Sequence, residues 1–183
     1  MIQFLRSPEL ESLLAMSPYL IAFRPVTATD LPAIQVLQDQ CFGPGRFARA
    51  AYRVREGLPL YSKHCLCASI ADEVVASLRM TPIEIGGTGD ALMLGPLAVT
   101  PRLAGQGIGR RLVAEALQRA ESEGIRLVLL VGDLPYYGKF GFKPVPEGQI
   151  VMPGPVNPAR LLAAEVTDGA LGAYRGMVAG VRA

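Results

Sequence analysis

At 183 residues, half of them apolar and 19% charged, the chain can close a full hydrophobic core and is too apolar to stay disordered; its length fits one domain over 1–183. A net charge of +2, from only three lysines (Lys63, Lys139, Lys143) and otherwise arginines against 16 acids, is too mild to argue for a nucleic-acid partner. Arg6, Glu9 and Glu11 break up the opening stretch, no run reaches the ~18 apolar residues of a membrane span, and three cysteines cannot all pair, so a soluble, cytoplasmic protein with no membrane contact is expected.

Residues 1–18 read as an N-terminal extension, a short helix at most, with no nameable chemistry. Tyr19–Val26 predicts a first strand. Thr29 is placed to cap a helix, with Asp30 and Pro32 in its first turn and Leu31, Ile34, Leu37 and Cys41 at helical spacing, up to Gly43-Pro44-Gly45. A second helix spans Arg46 to about Glu56, with Phe47, Ala51 and Val54 on its apolar stripe and Gly57 at its end. Lys63–Ala71 and Val74–Ile85 predict a hairpin, the second strand half-buried because Val74, Ala76, Leu78 and Met80 alternate with Ser77, Arg79 and Thr81. Gly86–Asp90 reads as a turn.

Ala91–Val99 and Ile125–Val131 are nearly continuous apolar runs, which suits parallel strands covered on both faces. Between them Leu112, Val113, Ala116, Leu117 and Ala120 form the inner stripe of a helix, Arg111, Glu115 and Arg119 its outer ladder, and Gly124 closes it. Strand, helix, strand at this length is a right-handed crossover. Pro135–Phe140 predicts a short helix and Phe142–Val145 a strand; Leu161–Val166 reads as a strand, although Asn157-Pro158 could equally cap a helix there. The fold class is α/β, a mixed sheet flanked by helices.

The loop opening the crossover helix carries the chemistry. Gly105, Gly107 and Gly109 follow a buried strand; glycines admit close backbone approach, and the free amides and dipole at a helix start suit a pyrophosphate. A P-loop needs Gly-Lys followed by Ser or Thr, but Arg110-Arg111 follow Gly109. A dinucleotide fingerprint needs glycine or alanine where Arg110 stands. A bare glycine turn with no ligand is the alternative from the loop alone.

The next strand leads into Gly132-Asp133-Leu134-Pro135-Tyr136-Tyr137-Gly138-Lys139-Phe140-Gly141-Phe142. Together the two segments resemble the GCN5-related N-acetyltransferase (GNAT) family, whose loop reads Gln/Arg-x-x-Gly-x-Gly/Ala and whose later motif reads Tyr-x-x-x-Gly-Phe. Gly107 and Gly109 fill the first pattern; Tyr137 with Gly141-Phe142 fills the second. Where the pattern expects Gln or Arg the chain has Ala104, so backbone amides must suffice there. The stretches FGPGRFARAAYRVREG, TPIEIGG, LGPLAV, GQGIG, VGDLPYYGKFGF and MPGPVNPARLL resemble the bacterial YhbS-like branch, and the resemblance runs from about Phe23 to Leu171.

The resemblance implies six to seven strands with splayed parallel central strands, and acetyl-CoA as co-substrate with no metal. It implies that the backbone of Leu97, Ala98 and Val99 holds the pantetheine arm and that the amides of Gly105, Gln106, Gly107, Ile108, Gly109 and Arg110 hold the pyrophosphate. It implies direct attack of a primary amine, on a small molecule or a peptide, with an amide of the splayed strand on the oxyanion and Tyr137 as general acid toward the thiolate. A phenol near pKa 10 against a thiol near 8.5 is mismatched by about 1.5 units, roughly 2 kcal/mol; it can still stabilise the thiolate by hydrogen bonding, and a modest shift makes full transfer feasible. A lysine-like amine is only about 0.04% neutral at pH 7 and an α-amine roughly 14%, so the need for a base depends on the acceptor; Glu84, Asp133, Glu56 and a water relay are the candidates. A homodimer is compatible with the family. Tyr136 is read as packing.

Other constellations carry less. His64, Cys65 and Cys67 cannot converge on one ion, since the cysteines share a strand face and the histidine opposes it. Arg46, Arg49 and Arg53 share a helix face and form either a cationic rim for an acidic substrate or CoA's 3′-phosphate, or a solvated face. The rival to an acetyltransferase is a CoA-binding sensor without turnover; a nucleotide-binding domain is the third reading.

Overall fold

A computed structural model describes residues 21–43 and 50–181. The helix expected within 1–18, the strand start at Tyr19, and Arg46, Phe47 and Arg49 lie outside the described residues.

Strand β1 (Ala22–Pro25) leads into a 3-10 turn (Ala28–Asp30) and helix α1 (Leu31–Phe42). The capping residue is Thr27, not Thr29: its side chain and amide close a box with Asp30, 2.8 Å from Asp30 Oδ2. Thr29 instead hydrogen-bonds Thr27 Oγ1 at 2.9 Å, because the box needs its partner three residues on. Arg24 grips Asp30 through two hydrogen bonds of 2.8 and 2.7 Å. The described part of the second helix is α2 (Ala50–Val54), shorter than the span to Glu56, with a turn following it.

Strands β2 (Leu66–Ile70), β3 (Glu73–Ile85) and β4 (Thr88–Val99) form an antiparallel meander. Ala71 and Asp72 turn the first hairpin with φ of 46° and 65°, Gly86 and Gly87 the second with φ of 56° and 84°. Two residues of positive φ suffice for a tight turn, so β4 resumes at Thr88, inside the segment expected to be turn. Nor is β3 half-buried: Ser77 and Thr81 are as buried as Leu78 and Met80. One face packs on helix α3 (Ile108–Ser122) and the other lies under α1 and α2, so a polar alternation does not mean a wet face.

In α3, Leu112, Val113, Ala116 and Ala120 are buried, Leu117 lies at the edge of the cluster, and Glu115 bridges Arg119 at 3.0 Å. Arg111 sets its guanidinium 4.2 Å over the Phe23 ring, a cation–π contact. Strand β5 (Leu127–Val131) runs parallel to β4 as the crossover requires. Helix α4 (Leu134–Tyr137), a 3-10 turn (Gly138–Phe140), β6 (Lys143–Pro144), β7 (Ile150–Val151), β8 (Leu161–Glu165) and β9 (Gly176–Gly180) complete the described chain. Leu161 onward is a strand, preceded by a 3-10 turn that Asn157 caps, its side chain accepting from Ala159 N–H.

The sheet order is β1-β2-β3-β4-β5-β8-β6, with β9 pairing the far half of β3 and β7 pairing β9. That is nine strands among the described residues; β7 and β9 exceed the six to seven expected. One core cluster lies between the sheet and α3, a second under α2 and the C-terminal segment, and a third joins Val26, Cys65 and Cys67 to α1. Cys65 and Cys67 thus face α1, whereas His64 turns the other way, its Nδ1 3.1 Å from Glu123. No helix of the described residues is long and apolar enough to cross a membrane.

Candidate active site

The site is built where two parallel strands part. β4 and β5 share only three register pairs, Ala91 with Leu127, Leu92 with Val128 and Met93 with Leu129. Beyond Met93, β4 stays with β3, while Leu130 and Val131 pair with β8. The divergence begins at a bulge. Leu78 pairs with Leu97 but Met80 with Leu94, so β4 spends three steps where β3 spends two. Pro96, inside the bulge, has no N–H to give a ladder.

Past the bulge the strand is regular and its main-chain groups alternate. Thr100 N–H reaches Val75 O at 2.8 Å, so Thr100 and Ala98 turn toward β3 and the groups of Leu97 and Val99 turn toward the gap. Cys41 Sγ donates to Val99 O at 3.3 Å from the end of α1, in agreement with that alternation. Of the three residues expected to offer backbone contacts, Leu97 and Val99 therefore face the gap and Ala98 does not.

The glycine loop closes the same space. Gly107, at φ 86°, precedes α3, and the first intrahelical bond is Arg111 N–H to Gly107 O at 3.0 Å. The amides of Ile108, Gly109 and Arg110 precede that bond and have no helical partner. Gln106 N–H turns back to Leu103 O at 3.4 Å, so it is not among the free donors. A Cβ on Gly109 would sit 3.0 Å from Tyr136 Oη and 3.3 Å from Val99 Cγ2: this glycine keeps the floor between helix and strand open. The resulting cavity, about 730 Å³, runs along Leu97–Val99 to Gly105, Gly107 and Arg110. Its charged lining residues, Arg110 and Lys139, are both cationic.

The two tyrosines divide differently from expectation. Tyr136, read as packing, lines the cavity and is 37% exposed. Tyr137 is the more buried and lines neither cavity, its ring over Gly132 and behind Tyr136, edge-on to Tyr136 at 4.8 Å and to Phe142 at 5.8 Å. Burial first, then the neighbouring Tyr136 and Asp133, pushes its phenol up to about 12. Tyr137 is thus a neutral hydrogen-bond donor throughout the physiological range. Desolvation also raises Tyr136, against the pull of Arg110.

A second cavity of about 390 Å³ opens on the other side of the bulge, lined by Leu94, Gly95 and Pro96, the end of β5 at Val131, and Tyr52, Arg55 and Arg160. None of Glu84, Asp133 and Glu56 lines either cavity. Glu84 is exposed and paired with Ala179 of β9, Glu56 is exposed beyond α2, and Asp133 bridges Arg160 at 3.2 Å. Arg53 reaches the Pro153 carbonyl at 3.3 Å and lines neither cavity. Arg55 and Lys139 are cavity-lining residues that the two motifs do not single out. Lys139 lies within the Tyr-x-x-x-Gly-Phe segment, and Arg55 lies within the FGPGRFARAAYRVREG stretch, four residues after Ala51 and so on the apolar side of the expected helix; both could have been found there.

Residues 22–145 match the family described as the acetyltransferase (GNAT) domain. The chain is similar to YhbS of Escherichia coli K12, an uncharacterized N-acetyltransferase, with 26% identity over 151 residues, 81% of this chain and 89% of that protein. It is similar also to YjhQ of the same organism, likewise an uncharacterized N-acetyltransferase, at 25% identity over 70% of this chain and 73% of that one. Among solved structures it resembles Escherichia coli YhbS in complex with CoA, with TM-score 0.76 and 25% identity, covering 91% of this chain and 93% of the other. A GNAT acetyltransferase of Brucella melitensis in complex with acetyl-CoA gives TM-score 0.56 and 28% identity over 82% and 97%. With the family match spanning more than half of its length, and strands parted beside a glycine-opened helix, the chain belongs to the GNAT family of N-acetyltransferases.

Proposed function

We propose that the chain transfers an acetyl group from acetyl-CoA to a primary amine. The observation that carries this reading is the row of unpartnered amides at Ile108, Gly109 and Arg110 beside the gap-facing edge of β4. The residues fit the ligand: helix-start amides suit a diphosphate, Arg110 and Lys139 add positive charge, and the edge at Leu97 and Val99 offers strand-like hydrogen bonds to an amide-bearing arm. Gly105 and Gly107 shape the loop.

Acetyl-CoA would supply the thioester. The acceptor nitrogen bonds to its carbonyl carbon, the carbon–sulfur bond breaks, and the proton lost by the amine ends on the departing sulfur. A gap-facing N–H of β4 donates to the carbonyl oxygen as charge builds there. Tyr137 serves as hydrogen-bond donor to the sulfur. Its pKa near 12 widens the gap to a thiol near 8.5, which favours donation over full proton transfer. With no carboxylate lining either cavity, the acceptor enters as its neutral form or through water.

Calorimetric titration with acetyl-CoA, CoA and ATP tests the binding half: uptake of the first two and none of ATP is expected, and ATP binding without CoA binding overturns the reading. Thiol release over an amine panel tests turnover. Tyr137→Phe should lower kcat roughly 10- to 100-fold with little change in coenzyme affinity, and wild-type turnover by that variant would remove Tyr137 from the chemistry. Binding without release for any amine would favour the sensor.

A further inference from the structure

The second cavity holds a cation with nothing to neutralise it. Arg55 is 5% exposed and lines this space just after α2. Its Nε donates to Thr81 Oγ1 at 3.1 Å, while Nη2, fully buried, has no hydrogen-bond partner among the described residues. Arg79 repels it, while Tyr52 and Cys65 act weakly the other way; Arg79 itself is turned away to the Pro59 carbonyl at 2.7 Å. The Tyr52 ring lies 5.9 Å from the guanidinium. Among the described residues no Asp or Glu lines the cavity, and the other charged residue that does, Arg160, is again cationic. A buried charge without a partner is costly, and a ligand that pairs with it offsets that cost.

The position says which ligand. The cavity is walled by Leu94, Gly95 and Pro96 of the bulge, whereas the first cavity begins at Leu97 on the same strand. The two spaces therefore meet the parted strands at adjacent residues. If the first takes acetyl-CoA, the second takes the acceptor. Around 390 Å³ suits a small molecule rather than a macromolecular surface. Arg160 is bridged by Asp133 at 3.2 Å, so it is the unpaired Arg55 that disfavours polyamines and other multiply cationic acceptors. A guanidinium matches the planar oxygens of a carboxylate.

We propose that the acceptor is a small amine bearing a carboxylate, an amino acid or a close analogue, and that Arg55 pairs with that carboxylate inside the second cavity. This rests on the acetyltransferase reading and names its substrate class. Arg55 is here a specificity residue; the amine itself stays free to react.

Amino acids, their carboxamides, phosphorylated amino alcohols and polyamines are compared as acceptors by thiol release, with wild type, Arg55→Met and Arg55→Lys. Amino acids are expected to exceed their carboxamides at least 30-fold in kcat/KM. Arg55→Met should abolish that preference, mainly through KM, and keep wild-type affinity for CoA by calorimetry. Because it removes an unpaired buried charge, it should also melt at or above the wild-type temperature, which a purely structural arginine would not allow. Arg55→Lys, which keeps the charge but not the fork, should retain part of the preference.

Binding is read separately from turnover, by the shift in melting temperature that N-acetylated amino acids produce against their amides. A shift with the acids alone, lost in Arg55→Met, supports the proposal. Equal use of acids and carboxamides, or preference for a polyamine or a phosphorylated amine, overturns it while leaving the acetyltransferase reading intact. Failure to bind CoA with an intact acid-specific shift would sink that reading and leave the carboxylate site standing.

Discussion

Gly109 shows how one missing methyl group can shape a site. It stands in the first turn of α3 and faces Val99 and Tyr136 across the floor of the cavity. Alanine is the better helix former by about 1 kcal/mol, yet its Cβ would meet Tyr136 Oη at 3.0 Å. Gly109→Ala should therefore melt no lower than wild type while raising KM for acetyl-CoA about tenfold, as steady-state kinetics would show; an unchanged KM would mean that Tyr136 swings clear without loss. The sequence made this glycine visible because the loop pattern is local. It could not reveal what Arg55 does: only the packing of β3 beneath it shows that, among the described residues, Thr81 alone accepts a hydrogen bond from it. The same limit hid the roles of the tyrosine pair, since adjacent residues of a short helix part company according to what lies opposite each.

At the level of elements, α1 begins where Arg24, Thr27 and Asp30 lock β1 to the helix. The Arg24 hydrogen bonds, aided by Thr27, hold the Asp30 carboxyl well below the usual carboxylate range against the opposing effect of burial. A depressed pKa in the folded protein contributes stability above the unfolded value near 3.9, lost as pH falls from there toward the folded value. Asp30→Asn should cost about 2 kcal/mol at pH 7, by the loss of charge-assisted hydrogen bonds. Arg24 is 36% exposed, which screens the ionic share. Chemical denaturation at pH 7 and pH 3 should show the difference between variant and wild type shrinking at the lower pH; a constant gap would mean that the charge contributes nothing. Helical period made α1 and α3 legible from sequence although the cap of α1 is Thr27 and not Thr29, and the two apolar runs did the same for β4 and β5. β7 and β9 escaped notice: one has two residues, and the other is bounded by Gly176 and Gly180, where no alternation of side chains can be seen.

For the whole molecule, the match to the family ends at residue 145, yet the C-terminal segment supplies much of the second core cluster. Tyr174 is fully buried, its hydroxyl donating to Gly89 O at 2.9 Å, and Gln149 ties the segment down through Leu171 O at 2.7 Å and Tyr174 O at 3.0 Å. Val178 docks with β9 against β3. A chain ending after Val166 should expose Ile83, Ile85 and Val145, bind a dye for apolar surface and lose its cooperative thermal transition. A sharp transition near the wild-type temperature would show that the segment is dispensable.

The wedge between β4 and β5 has a last implication. A sheet that stops pairing in its middle has given up hydrogen bonds that an incoming strand-like arm can restore, so occupancy and fold strength are linked quantities. At a hundredfold excess over its dissociation constant, such a guest adds about 2.7 kcal/mol. In a cell that runs short of it, the empty protein would be the form that proteases find first.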